Sequence, residues 1–288
     1  VPTPRSTAGW GSGLVGIIIF SGSLPATRVA VGGLSPLFLT SARAVIAALL
    51  GAALLGILRQ RPPALRDFGS LAVVALGVVV GFPLLTAFAL QHITAAHSTV
   101  FIGLLPIATA LFGVLRGGER PKPAFWLFSL LGSALVAGFA LAQSAAASVA
   151  GDLLMLAAIL VCGLGYAEGA KLSRRLGGWQ VISWALVLSL PLMGLIGLAT
   201  LPGSWSGIGL PVWAGLAYVS VFSMLVGFVF WYRGLALGGI AGVGQLQLLQ
   251  PFFGLALAGL LLGEPVAWSM VAVTGLVVLC VAGAKRYA

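Results

Sequence analysis

Charge is scarce in this chain. Only 7% of its 288 residues are charged, and just five of those are acidic. A water-facing domain carries about 25%, so these side chains cannot cover a soluble globule. With 60% hydrophobic residues, the solvent the sequence calls for is lipid. Histidine occurs twice, at His92 and His97, and cysteine twice, at Cys162 and Cys280, each cysteine inside an apolar run. That excludes a disulfide framework and any cluster with zinc-ligand spacing, so neither a metal nor a cofactor is expected. The chain has no Walker A sequence, no GxSG, no HExxH and no pair of membrane-buried aspartates. ATP hydrolysis lacks its residues, and an intramembrane enzyme would lack a buried nucleophile and base, so the chain is not expected to be an enzyme. GSGLVG, Gly11 to Gly16, spells a dinucleotide fingerprint, but no strand precedes it and it opens an apolar stretch.

What the chain does have is long apolar runs and 41 glycines, a composition suited to closely packed transmembrane helices. About 20 apolar residues cross the hydrocarbon core. That rule gives ten spans, at 9–31, 36–58, 68–90, 94–115, 124–142, 151–172, 180–200, 211–233, 241–262 and 266–284. The first is read as a span and not as a removable leader. Short connections make consecutive helices antiparallel neighbours.

The net charge of +10 is a matter of topology. Arg5, Arg59, Arg61, Arg66, Arg116, Arg120, Lys122, Lys171, Arg174, Arg175, Arg233, Lys285 and Arg286 all fall on one side of such a ten-span path. Arg28 and Arg43 fall within spans, and the opposite connections carry no basic residue. The positive-inside rule makes the charged side cytoplasmic, with both termini there. Scattered short clusters of this kind do not track phosphates, so no nucleic-acid partner is expected.

The sequence also repeats itself. LLPIATALFGVLRGGER, from Leu104, returns as LLQPFFGLALAGLLLGEP, from Leu248. Pro106 to Pro251 and Glu119 to Glu264 are the same 145 positions. Each half holds five spans, an odd number, so the second half enters the membrane upside down. The 4–5 connection is therefore basic and its counterpart, 9–10, is not. The expected fold is all-α: ten transmembrane helices as two inverted five-helix repeats, 1–145 and 146–288, around a central cavity.

Within the spans, Pro106 and Pro251 are candidates for a paired hinge, since proline removes a donor and frees a carbonyl, here those of Ile102 and Gln247. Pro25 and Pro83 sit off-centre. Gln245, Gln247 and Gln250 are expensive in hydrocarbon without partners, and serve either a neutral or zwitterionic ligand or interhelical contact. Ser21, Phe82, Thr86, Phe101, Leu105, Ser223 and Phe228, with Gln245 and Gln247, are the candidate substrate-binding wall: apolar and aromatic with a few polar groups. Phe20 and Tyr166 lie at similar depth. Trp231 and Tyr232 read as an interfacial belt, and Glu168 as an interfacial i,i+3 ion pair with Lys171. Arg28 can snorkel outward, whereas Arg43 needs a partner, with a carbonyl the expected one. Asp152 suits a helix N-terminus. Gly165/Gly169, Gly234/Gly238 and Gly259/Gly263 read as close-contact pairs.

On the segment from Ser21 to Leu50, the duplicated Pro106/Gly118/Glu119 and Pro251/Gly263/Glu264 pattern, and the later Gly132 and Gly275, the chain resembles the EamA-type repeats of the drug/metabolite transporter superfamily. Arg43 matches the arginine usual in the second span of that family. The resemblance implies the inverted-repeat fold, alternating access and export of small metabolites from bacteria across the inner membrane. Among members the chain looks most like an exporter of aromatic amino acids. Secondary or facilitative transport of amino acids by a monomer surrounded by lipid is the resulting expectation; a cationic drug or a nucleotide sugar is the alternative cargo.

Overall fold

The computed structural model describes residues 7–89, 92–93, 98, 101–142, 148–262 and 268–288, and every regular element among them is helical. The first apolar stretch forms α1 (Thr7–Ser21) and, after a turn at Gly22, α2 (Ser23–Ala30). α3 (Pro36–Ile57) starts where Ser35 accepts a hydrogen bond from the Phe38 amide at 3.2 Å, with proline in the first turn. Side-chain acceptor and donor-free residue together satisfy a helix start. α4 (Leu65–Val74) runs through a π-helical segment, Ala75–Gly81, into α5 (Phe82–Ala89).

α6 (Leu105–Gly117) has Pro106 in its first turn and ends on Gly118, whose φ of 68° only glycine adopts freely. Next come α7 (Pro123–Leu141), α8 (Val149–Leu176), α9 (Gly178–Ala199) and α10 (Leu210–Tyr218). A second π-helical segment, Val219–Val226, leads into α11 (Gly227–Gly238). The chain then runs through α12 (Ile240–Gly244), a 3₁₀ stretch (Gln245–Leu249) and α13 (Gln250–Leu262) to α14 (Trp268–Tyr287).

Among the described residues, six apolar helical segments are long enough to cross a membrane: Thr7–Thr27, Pro36–Ile57, Leu65–Ala89, Val149–Leu176, Gly178–Ala199 and Leu210–Gly238. Leu105–Gly117 and Pro123–Phe139 are apolar but shorter. The fourth and ninth predicted spans are thus not single helices. Pro106 and Pro251 each lie in the first turn of a new helix instead of bending a continuous one, a position where the missing amide costs no intrahelical bond; Pro191, by contrast, lies inside α9. The carbonyl of Gln247, which Pro251 was expected to free, accepts from the Gln250 amide in the 3₁₀ stretch. The two π-helical segments also begin and end 144 and 145 positions apart, so both halves carry the same local irregularity.

Glycine sets the helix pairing. α1 lies along α11, and a Cβ added to Gly234 would stand 2.6 Å from the Gly13 nitrogen and 3.0 Å from the Gly9 oxygen. The GSGLVG stretch is therefore a packing surface. A second close approach brings α8 against the first π-helical segment, where a Cβ on Gly77 would meet the Val161 oxygen at 2.5 Å and the Gly165 Cα at 3.0 Å. Gly169 faces the Tyr232 ring. Such contacts replace the hydrophobic drive that lipid cannot supply. Gly263, and the side-chain surroundings of Gly259, lie outside the described residues, as do Arg5, His97 and Glu264 and the side chain of Arg28. α3 packs on α9, α6 on α8, and α7 on α14.

Candidate functional site

Two regions concentrate chemistry. The first is the interior where α1, α8 and α11 meet. Phe20 stands edge-on to Phe228 at 5.0 Å, and Tyr166 to Phe228 at 6.0 Å and to Trp231 at 5.5 Å. Trp231 and Tyr232 are fully buried, not interfacial, because α11 is covered by α1 on one side and by α8 and α9 on others. The Tyr232 hydroxyl donates to the Gly165 carbonyl at 3.2 Å, while the Trp231 Nε1 is buried without a hydrogen-bond partner. Trp231 lies one turn beyond Phe228 on the same face, a spacing that marks it as part of the aromatic wall.

Beside this wall runs the 3₁₀ stretch. Gln245 and Gln247 are 0% and 1% exposed. The Gln247 amide nitrogen donates to Thr109 Oγ1 at 3.2 Å and to the Gly244 carbonyl at 2.9 Å, joining the two broken helices. Its Oε1, the Gln245 Oε1 and the Thr86 Oγ1 are buried without partners. Unpaired buried polar atoms are rare in native interiors, and each calls for an explanation, a bound water or ligand among them.

The remaining predicted wall residues scatter around this interior. Ser21 Oγ donates to the Ile17 carbonyl at 2.7 Å, and Ser223 accepts from Ser23 at 2.7 Å. Leu105 and Phe228 are buried in the main core, against which the half-buried Phe82 and Phe101 pack. Arg43 Nε is buried without a hydrogen-bond partner.

The second region gathers the basic connections at one end of the bundle. Glu168 is fully buried and accepts from Ser70 Oγ at 2.6 Å, Arg116 Nε at 2.9 Å and Lys171 Nζ at 3.4 Å. It is thus a three-way tie between α4, α6 and α8, and its pairing with Lys171 is the longest of the three contacts. Asp67 pairs with Arg175, linking the start of α4 to the end of α8. Glu119 accepts from Arg174 at 3.0 Å and from the Ile240 and Ala241 amides at 2.7 Å each. The Lys122 amide donates to the Tyr287 carbonyl, and Lys285 sits 4.7 Å from the Trp10 ring centre. Sequence alone does not single out Asp67 or Ser70. Their i,i+3 spacing at the opening of a span, opposite the Lys171–Arg175 cluster, is the signal available.

A cavity of about 600 Å³ opens at this same end, lined by the 59–67 segment, Arg175, Leu176, Gln180 and Trp184, and a smaller one of about 180 Å³ adjoins it. Neither is lined by a residue of the predicted wall. Among the described residues no group of three or more metal-ligating side chains occurs.

The fold is shared with a solved crystal structure that aligns with a TM-score of 0.80 over 97% of this chain and 96% of that one, at 21% sequence identity. A Bacillus subtilis (strain 168) protein called "Uncharacterized transporter YdeK" is 67% identical over 284 residues, 99% of both chains. A Streptantibioticus cattleyicolor protein called "Probable terminal-alkyne amino-acid exporter" is 26% identical over 254 residues, 86% of this chain and 83% of that one. The model of the EamA-like transporter family matches twice, at residues 8–141 and 149–284. With those two matches and several helices apolar enough to cross a bilayer, the chain belongs to the EamA-like transporter family and is a multi-pass membrane protein.

Proposed function

We propose that this protein exports amino acids, aromatic or neutral, and related small metabolites across the bacterial inner membrane by alternating access, as a secondary or facilitative carrier. Ten transmembrane segments, 1–145 and 146–288 in opposite orientations, form the two moving halves, with both termini cytoplasmic. The observation that carries the cargo reading is the set of unpartnered atoms beside the aromatic wall: two amide oxygens, on Gln245 and Gln247, and one indole donor, on Trp231. An α-amino acid needs acceptors for its ammonium group and donors for its carboxylate, and an aromatic wall suits its side chain. The alkyne amino-acid exporter among the relatives supports the same class.

A cationic drug needs a free central carboxylate, and Glu168 already faces two cations. The ion ties of Asp67, Glu119 and Glu168 act as the cytoplasmic gate: they hold together segments from both halves, and export requires them to part.

Purified protein in liposomes tests this. Labelled aromatic and neutral amino acids are expected to cross, and Gln247→Ala and Phe101→Ala to slow them. No flux across a broad amino-acid panel, with flux of another cargo class, rejects the reading. Flux with and without an imposed pH gradient separates proton coupling from facilitated diffusion.

A further inference from the structure

We infer that the 600 Å³ cavity at the basic end is a binding site for the headgroup of an anionic phospholipid. The inference rests on the membrane reading above and not on the cargo. Arg59, Arg61, Arg66 and Arg175 line the cavity with Gln180 and Trp184. Arg175 is occupied by Asp67, the acid in the lining. The other three arginines have no acidic partner among the described residues, so the cavity carries three uncompensated positive charges.

Charge on a cytoplasmic edge is ordinary, and spreading it over the surface would satisfy the positive-inside rule equally well. Here three arginines without acidic partners among the described residues line one concavity. The loop that presents them is fixed in shape. Arg59 holds a φ of 48°, its amide bonds the Gly56 carbonyl, and Gln60 bonds the Leu55 carbonyl at 2.9 Å. Pro62 and Pro63 follow immediately and are conformationally stiff. Gln180 adds an amide side chain to the lining, a group able to hydrogen-bond a glycerol hydroxyl.

The rim distinguishes a lipid from a free phosphate. Ile57, Leu58 and Leu65 adjoin the lining residues in sequence and are 77%, 50% and 90% exposed, and Phe68 is exposed on the next turn. A soluble anion gains nothing from such a rim. A phospholipid lays its acyl chains along it while its phosphate meets the arginine forks in the bidentate geometry guanidinium favours. Trp184, partly buried against the core, adds an indole to the lining, a group that favours membrane interfaces. Basic pockets between transmembrane helices are suited to this kind of headgroup.

The test uses the full-length protein, purified and delipidated in neutral detergent. Short-chain phosphatidylglycerol is compared with phosphatidylcholine of equal chain length and with soluble glycerol phosphate, by thermal shift and by native mass spectrometry. Phosphatidylglycerol is expected to bind about tenfold or more tightly than phosphatidylcholine and to raise the melting temperature. The combined Arg59→Gln, Arg61→Gln, Arg66→Gln variant is expected to lose that preference, and Lys285→Gln with Arg286→Gln to keep it. Equal response to the two lipids, or a preference that survives the triple variant, overturns the site. A response to glycerol phosphate equal to that of the lipid overturns the lipid as occupant. If the triple variant does not fold, Arg61→Gln and Arg66→Gln singly are read by the same mass shifts. None of these readouts involves flux, so failure here and failure of the cargo reading are separable.

Discussion

Glu119, just beyond the end of α6, accepts hydrogen bonds from the backbone amides of Ile240 and Ala241 at 2.7 Å each. A carboxylate from the first half of the chain thereby caps the first turn of α12 in the second half, where the amides have no intrahelical partner. Its charge also suits the positive end of the helix. Arg174 closes the arrangement from a third helix.

Replacing Glu119 by glutamine keeps one acceptor and removes both the second acceptor and the pairing with Arg174. A loss of about 1 kcal/mol or somewhat more is expected, in the range for a removed helix cap, and Glu119→Ala is expected to lose more. Thermal unfolding in detergent measures it. An unchanged melting temperature in the alanine variant would show that the cap is dispensable.

Glu168→Gln leaves Arg116 and Lys171 without their counter-charge while preserving side-chain volume. Both cations are about half exposed, so solvent screens most of the effect and the penalty is expected to be about 1–2 kcal/mol rather than that of a fully buried pair. The gate should open more often. Alkylation of a Ser173→Cys probe from the basic side is expected to accelerate severalfold in this background, and an unaltered rate counts against the gate.

Gly234→Val places side-chain atoms inside the Gly9–Gly13 backbone of α1, with no flexible neighbour able to yield. Separation of α1 from α11 and loss of monodisperse protein on size exclusion are expected, a penalty beyond the ~1–3 kcal/mol of ordinary overpacking. Gly11, whose added Cβ meets nothing within 4 Å, provides the contrast. Gly11→Ala should leave yield unchanged.

Trp231→Phe retains the aromatic wall and removes the unpartnered Nε1. If that group holds the cargo carboxylate, apparent affinity falls about tenfold or more, the equivalent of one net hydrogen bond to a charged group, with little change in folded yield. Flux at varied amino-acid concentration reads this, and an unchanged half-saturation concentration assigns the indole to packing alone.

Pro106→Ala and Pro251→Ala each allow the preceding turn to continue as α-helix, since the restored amide can bond four residues back. Each is expected to lower flux more than folded yield, and the double variant more than either. Full flux in the double variant would remove the paired break from the transport cycle.

Much of this arrangement is legible in the chain itself. The 145-residue interval between Pro106 and Pro251 marks both helix breaks, because proline acts on its own backbone and needs no distant partner. The basic connections do meet at one end, as the contacts of Asp67 with Arg175 and of Lys122 with Tyr287 show. By sequence Trp231 and Tyr232 read as interfacial, because they close the eighth span. Their burial depends on how α1, α8 and α9 surround α11, which no local pattern states. Glu119 gave no hint of its partner either, since the amides it caps lie more than a hundred residues away.

Solvent, repeat period and charge sorting can be read from the chain alone, because each follows from local composition and from the thickness of a bilayer. Which acid meets which base, which polar atoms of the interior are left unpaired, and that three arginines share one cavity are settled by packing. Those outcomes depend on helix crossings set by glycine contacts between segments remote in sequence, and contact of that kind exists only once the chain has packed.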